Sequence, residues 1–101
     1  MKIILLKEHF DGDFLADGRL ANKFRFSEIE PLFAMQDKVV FDFSGINNIT
    51  DSFANGLIGN LAELHPDSFM GKVRFRNCTP AVRSAIEFSI SLGLSRTSIR
   101  G

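Results

Sequence analysis

Val39-Val40-Phe41-Asp42-Phe43 offers almost no face to water, and this run constrains the fold more than any other part of the chain. Gln36-Asp37 bounds it before and Ser44-Gly45 after, giving the length of a strand. An apolar strand without alternation belongs inside a sheet covered on both faces. Lys2 to Lys7 reads the same way. Lys72-Val73-Arg74-Phe75-Arg76 alternates with period two, the pattern of a half-exposed strand ending at Asn77.

Helical patterns lie between these strands. Ser52 to Leu64 places Phe53, Leu57, Leu61 and Leu64 three or four residues apart, a buried stripe, and Thr50-Asp51-Ser52-Phe53 opens it. Asp and Ser are both good N-caps, so capping alone is one reading of that opening. Thr79 as N-cap, Pro80 at the first helical position and the series Val82, Ala85, Ile86 and Ile90 announce another helix, with Gly93 placed to end it. Asp17 to Met35 is also helix-like, through Leu20, Phe24, Ile29, Leu32 and Phe33. Within it Ser27-Glu28-Ile29-Glu30 reads as a capping box and Pro31 disfavours continuity, so two pieces or one kinked helix are expected. Strands alternating with helices imply crossovers and an α/β fold. The expectation is a mixed or mostly parallel central sheet of four to five strands with helices packed on it, the last strand near Thr97 to Arg100.

With 101 residues and 45% hydrophobic content, one domain over 1–101 is expected. Twelve basic and twelve acidic residues cancel, so no global field draws the chain to nucleic acid or to an anionic membrane, and a protein partner is favoured. The apolar run after Met1 is too short to span a bilayer and no small-residue cleavage site follows it, which fits a cytoplasmic location. Cys78 is the one cysteine, so no internal disulfide forms. Eleven Phe and no Trp or Tyr supply large side chains with no polar tip, and read as packing. Phe10, Phe14 and Phe69, if exposed, would argue for a homo-oligomer.

The residues resemble the STAS-like domains of unassigned function, related to the anti-sigma-factor antagonists and to scaffold proteins of bacterial stress-signalling complexes. The resemblance runs from Val39 to Gly93. It rests on Val39-Val40-Phe41-Asp42-Phe43-Ser44-Gly45, on Ile49-Thr50-Asp51-Ser52-Phe53 with Leu57 and Leu61 behind, on Val73-Arg74-Phe75 with Asn77, and on Val82-Arg83. It implies a STAS-like domain acting as a non-enzymatic regulatory protein-interaction module. In the antagonists a serine at the start of the helix is phosphorylated by a partner kinase, and Ser52 is the matching position. Asp51 matches the acidic residue before the acceptor, and Asp42 the one ending the strand. The loop is one residue longer than in the antagonists, and Phe53 stands where they commonly carry Ser or Thr. The implied partner is a separate, kinase-like ATP-binding protein, and the implied contact residues are Asp42, Asn48, Thr50, Asp51, Ser52 and Asn55.

Physical chemistry frames the same residues. A phosphate on Ser52 would add roughly −1.5 to −2 charge beside Asp51, which repels it, so modification would change a surface rather than tighten the fold. Asp42, inside an apolar strand, is expected at the strand's C-terminal end with its carboxylate hydrogen-bonded to loop amides. A phospho-receiver would need an acidic pair, which Glu8, Asp11 and Asp13 could supply, and a late lysine, yet none follows Lys72. Asn47, Asn48 and Asn55 suit turns. His9 and His65 lack metal-ligand spacing and no nucleotide-binding glycine pattern occurs, so no catalytic residue, cofactor or metal is assigned. Cys78 before a helix start could be a reactive thiol, but a small buried apolar residue is the plainer reading. Arg74, Arg76 and Arg83 near Lys72 could form an anion patch or a solvated face. Besides the regulatory module, a structural subunit of the same fold and a small enzyme stay open.

Overall fold

Among the described residues five strands form, and all of them pair in parallel. The computed structural model describes the backbone of residues 1–100 and the side chains of residues 1–96. The strands are β1 (Lys2–Leu5), β2 (Phe14–Leu15), β3 (Val39–Asp42), β4 (Asn48–Ile49) and β5 (Val73–Arg76). The helices are α1 (Gly18–Phe24), α2 (Glu30–Met35), α3 (Asp51–Ala54), α4 (Asn60–Leu64), α5 (Phe69–Lys72) and α6 (Pro80–Arg100). The main sheet runs β1-β3-β5, and β2 with β4 makes a second, two-stranded ladder. Every residue of β3 is buried, as its unbroken apolar run requires. Phe41 in β3 stacks on Phe75 of β5.

The α/β class and parallel crossovers follow the sequence pattern, but several boundaries do not. The chain leaves β1 in a 3-10 turn at Leu6–Glu8, short of Lys7 as a strand end. β2, β4 and α5 were not anticipated, because elements of two to four residues are too short to show a period.

The helix over Gly18–Met35 is continuous, and no capping box forms inside it. Its N-cap is Asp17, whose carboxylate accepts from the Arg19 and Leu20 amides, while Ser27 Oγ donates to the Lys23 carbonyl. Continuity past Pro31 is achieved by a π-turn at Arg25–Ile29, in which the Glu30 amide bonds Arg25, five residues back. A widened turn makes room for a ring that has no N–H and would crowd the carbonyl four residues earlier.

A second π-turn, Asn55–Gly59, joins α3 to α4. Its extra residue rotates the buried stripe, so Phe53, Leu57 and Leu61 are buried together with Ile58 and Ala62, whereas Leu64 is exposed. The helix stripe expected to include Leu64 is corrected in this respect.

Thr79 does cap α6, its Oγ1 accepting from the Val82 amide at 3.1 Å. Gly93, however, does not end the helix, which continues to Arg100, so the strand expected near Thr97 is helical. A β-carbon on Gly93 would overlap the Gly59 carbonyl oxygen: the glycine serves a close crossing of two helices. Phe69 is fully buried and Phe10 half-buried, each in or against the core, while Phe14, Phe26 and Phe88 are the exposed phenylalanines.

Candidate functional site

Ser52 sits at the second position of the helical run that begins at Asp51, and its place is set by the two-stranded ladder beneath it. Leu15 pairs with Ile49, and the Thr50 amide donates to the Leu15 carbonyl, so the chain enters the helix from a fixed strand end. Thr50 is the N-cap: its Oγ1 accepts from the Phe53 amide at 3.1 Å and donates to the Ala16 carbonyl at 2.9 Å. Capping therefore falls to Thr50 rather than to Asp51 or Ser52. Both of the latter are exposed, and among the described residues the Ser52 hydroxyl makes no hydrogen bond.

The helix carrying Ser52 lies very close to α1. A β-carbon on Gly18 would overlap Ser52 Oγ, and one on Gly56 would stand 2.6 Å from the Gly18 carbonyl oxygen. Ser52 and Asn55 together form a ridge between two grooves. On one side Phe88 and Leu92 of α6 join Asp51 and Ser52 around about 240 Å³. That is below the roughly 300–1,000 Å³ of a small-molecule cavity. On the other side the lining is polar, with Arg19, Asn22 and Asn60.

Behind the polar groove runs a network centred on the buried Arg25, which the sequence pattern does not reveal. Arg25 Nε donates to the Gly56 carbonyl at 3.0 Å, Nη2 to Asn22 Oδ1 at 2.7 Å and Nη1 to Glu30 Oε2 at 2.6 Å. Glu30 Oε1 lies 2.5 Å from His65 Nε2, whose ring packs on Phe33. Asn60 Nδ2 donates to the same Asn22 oxygen. Pro31 was the one local signal of an irregular turn there. Contacts between helices distant in sequence leave no periodic trace.

The remaining anticipated residues fall as follows. Asn55 Oδ1 accepts from Arg96 Nη1 at 3.1 Å, tying the ridge to α6. Asn48 is exposed in β4, its Oδ1 taking the Ile49 amide. Asp42 is buried at the C-terminal end of β3, apart from the ridge. One of its oxygens accepts from the Ser44 amide (2.9 Å), Ser44 Oγ (2.7 Å) and Asn77 Nδ2 (3.0 Å). Burial pushes its pKa up, but the hydrogen bonds from Asn77 and Ser44 and the charge of Arg76 outweigh burial and hold it below the usual value. Asn77 reaches this carboxylate from a left-handed backbone conformation, φ 59°, which Asn tolerates.

Neither histidine lines a groove beside Ser52: His9 packs against Phe24 with the rings tilted by 48°, and His65 pairs with Glu30. Desolvation raises the Cys78 thiol pKa, against the lowering effect of Arg83, so the thiolate is disfavoured. Lys72 and Arg74 bind main-chain carbonyls, of Phe33 and of Met70 and Val73, instead of forming an anion patch. Among the described residues no group of three His, Cys, Asp or Glu is placed to hold a metal ion, and no helix is long and apolar enough to cross a membrane.

No curated protein and no solved structure matches the chain. A family model does, over residues 21–83, which spans β3 to β5, the ridge at Ser52 and the Arg25 network. With well over half of its length matched, this chain belongs to the family described as the STAS-like domain of unknown function (DUF4325).

Proposed function

We propose that this chain is a non-enzymatic regulatory module that binds another protein through the ridge at Ser52, and that phosphorylation of Ser52 changes that contact. The observation that carries the reading is the state of the Ser52 hydroxyl, exposed and without a hydrogen bond, next to a Thr50 that already caps the helix. A residue with no structural task at a helix start between two grooves is free to serve recognition. The apolar groove supplies Phe88, 58% exposed, as a contact of the kind that protein interfaces use.

In the proposed reaction the Ser52 oxygen takes the terminal phosphoryl group of ATP, its proton leaves, and ADP is released by a separate, kinase-like ATP-binding partner. The phosphate adds roughly −1.5 to −2 charge beside Asp51 and occupies space next to Gly18, so both grooves change while the core does not. The cytoplasm, where ATP and kinases are at hand, is the proposed location.

The test is phosphosite mapping by mass spectrometry on the protein recovered from its native cells, paired with capture by the Ser52→Ala and Ser52→Asp variants. Phosphate on Ser52 and a partner retained by Ser52→Ala but lost by Ser52→Asp support the reading. An unmodified Ser52 with identical partners for both variants overturns it in favour of a structural subunit.

A further inference from the structure

The polar groove beside Ser52 is a surface of donors. Among the described residues that line it, Arg19 is charged and no carboxylate is present. Arg19 and Asn22 stand three residues apart on α1 and so share one face of that helix. The Arg19 main-chain amide is held by Asp17, but among the described residues its guanidinium has no hydrogen bond or ion pair.

Two asparagines of the groove are oriented from behind. Asn22 Oδ1 accepts from Arg25 Nη2 at 2.7 Å and from Asn60 Nδ2 at 3.1 Å, and Asn55 Oδ1 accepts from Arg96 Nη1 at 3.1 Å. An arginine can only donate, so each contact decides which end of the amide turns to it. The opposite end, an Nδ2 with two N–H groups, is left without a partner among the described residues in both asparagines. Asn60, whose Nδ2 is bonded to Asn22, offers an oxygen. Ser52 Oγ borders the same groove and lies against Gly18, the residue before Arg19. The carboxylates nearest in sequence lie elsewhere: Asp51 lines the apolar groove, and Asp17, bonded to the Arg19 and Leu20 amides, lines a third groove beside Phe14. They weaken the field of Arg19 without entering the polar groove.

We infer that the polar groove holds the phosphate placed on Ser52, with the Arg19 guanidinium paired to it and the Asn22 and Asn55 amides donating to its remaining oxygens. This rests on the reading of Ser52 as a phospho-acceptor and adds where the phosphate goes and what neutralises it. A phosphate monoester brings three acceptor oxygens and a charge of roughly −1.5 to −2 at pH 7, and guanidinium and amide N–H groups are its matching donors. Attachment to Ser52 supplies an effective concentration that a free ion does not reach, so the groove needs no strong affinity of its own. Arg19 and Ser52 belong to different helices, and modification therefore ties the start of α1 to the helix of Ser52 while filling the polar groove.

The test uses the intact chain with phosphoserine placed at position 52 by codon suppression, so that the groove is tried whether or not native cells modify Ser52. Its phosphate is titrated by phosphorus NMR, and the side-chain amide resonances of Asn22 and Asn55 are followed in a labelled sample. Arg19→Gln should raise the second phosphate pKa by about 0.5, the size expected of an exposed charge pair, whereas Lys23→Gln, an equal charge loss one turn further along α1, should move it much less. Arg19 and Lys23 are both exposed, so neither change disturbs the core. The phosphate should shift the Asn22 and Asn55 amide resonances, and Arg19→Gln should reduce those shifts. An unchanged phosphate pKa in Arg19→Gln, or an equal change in Lys23→Gln, overturns the inference and leaves a phosphate that faces solvent. So does inorganic phosphate that shifts the same amides of the unmodified chain at submillimolar concentration, which makes the groove a site for free anions. The expected titration together with an unmodified Ser52 in native cells supports the groove and overturns the regulatory reading alone.

Discussion

Arg25 and Gly56 join two helices at the points where both are irregular: the arginine opens one π-turn, and its Nε donates 3.0 Å to a carbonyl inside the other. The helix carrying Ser52 is thereby fixed to the helix carrying Gly18, which is what holds the ridge between its two grooves.

Removing that arginine should be among the most damaging single changes. Arg25→Met keeps the length and apolar stem but removes three hydrogen bonds, leaving the Gly56 carbonyl without its arginine while Asn22 keeps Asn60 and Glu30 keeps His65. Breaking one side of a fully buried pair costs about 3–5 kcal/mol, and because Glu30 is only partly buried and keeps His65 the loss here should fall below that range. Urea unfolding should show that loss, and Arg25→Lys should recover little of it, because one ammonium cannot place three donors in a planar fork.

Asp42 should give the fold an acid-sensitive element. Its folded pKa lies below its unfolded value, so the stability it contributes is present above about pH 4 and is lost as pH falls through the folded pKa. Asp42→Asn should lower unfolding free energy at neutral pH and flatten its decline in acid, the two proteins converging at low pH. The exposed Asp37, held low by the Met1 amino group, contributes to the same limb, and added salt during the titration suppresses its share.

The three strands of the main sheet were readable because burial writes itself into composition: Val39 to Asp42 had to be covered on both faces. Thr79-Pro80 was readable because capping is a local matter. The π-turns were not, since Arg25 finds Gly56 only after folding, and Pro31 alone cannot say how a helix will accommodate it. Gly93 shows the ambiguity of glycine, which signals a helix end and a close crossing with the same letter. At the candidate site Ser52 and Asp51 were visible as a pattern, but Phe88, Leu92, Arg19 and Asn22, which shape the grooves beside them, come from other helices.

Two glycines in helices should respond oppositely to alanine. Gly71→Ala meets nothing within 4 Å, so it should stabilise by about 0.4–1 kcal/mol through helix propensity and a stiffer unfolded chain. Gly93→Ala gains the same propensity but drives its β-carbon into the Gly59 carbonyl, and overpacking of about 1–3 kcal/mol wins. Thermal melts of the pair should move in opposite directions.

The contrast between Thr50 and Ser52 bears most directly on function. Thr50→Ala removes the cap on the Phe53 amide and the bond to Ala16, and should cost about 1–2 kcal/mol. Ser52→Ala removes no hydrogen bond and places a better helix former two positions on, so its effect should stay within about 0.5 kcal/mol. Ser52→Asp puts a carboxylate in the first turn, where the helix dipole favours it by about 0.3–1 kcal/mol, and the repulsion from Asp51 opposes it at a similar scale. Its melting temperature should therefore also stay near that of the parent protein. Loss of a partner by Ser52→Asp would then report on the surface and not on the fold. If Ser52→Ala instead lowers the melting temperature as far as Thr50→Ala does, the hydroxyl holds the structure together and the regulatory reading of this ridge is lost.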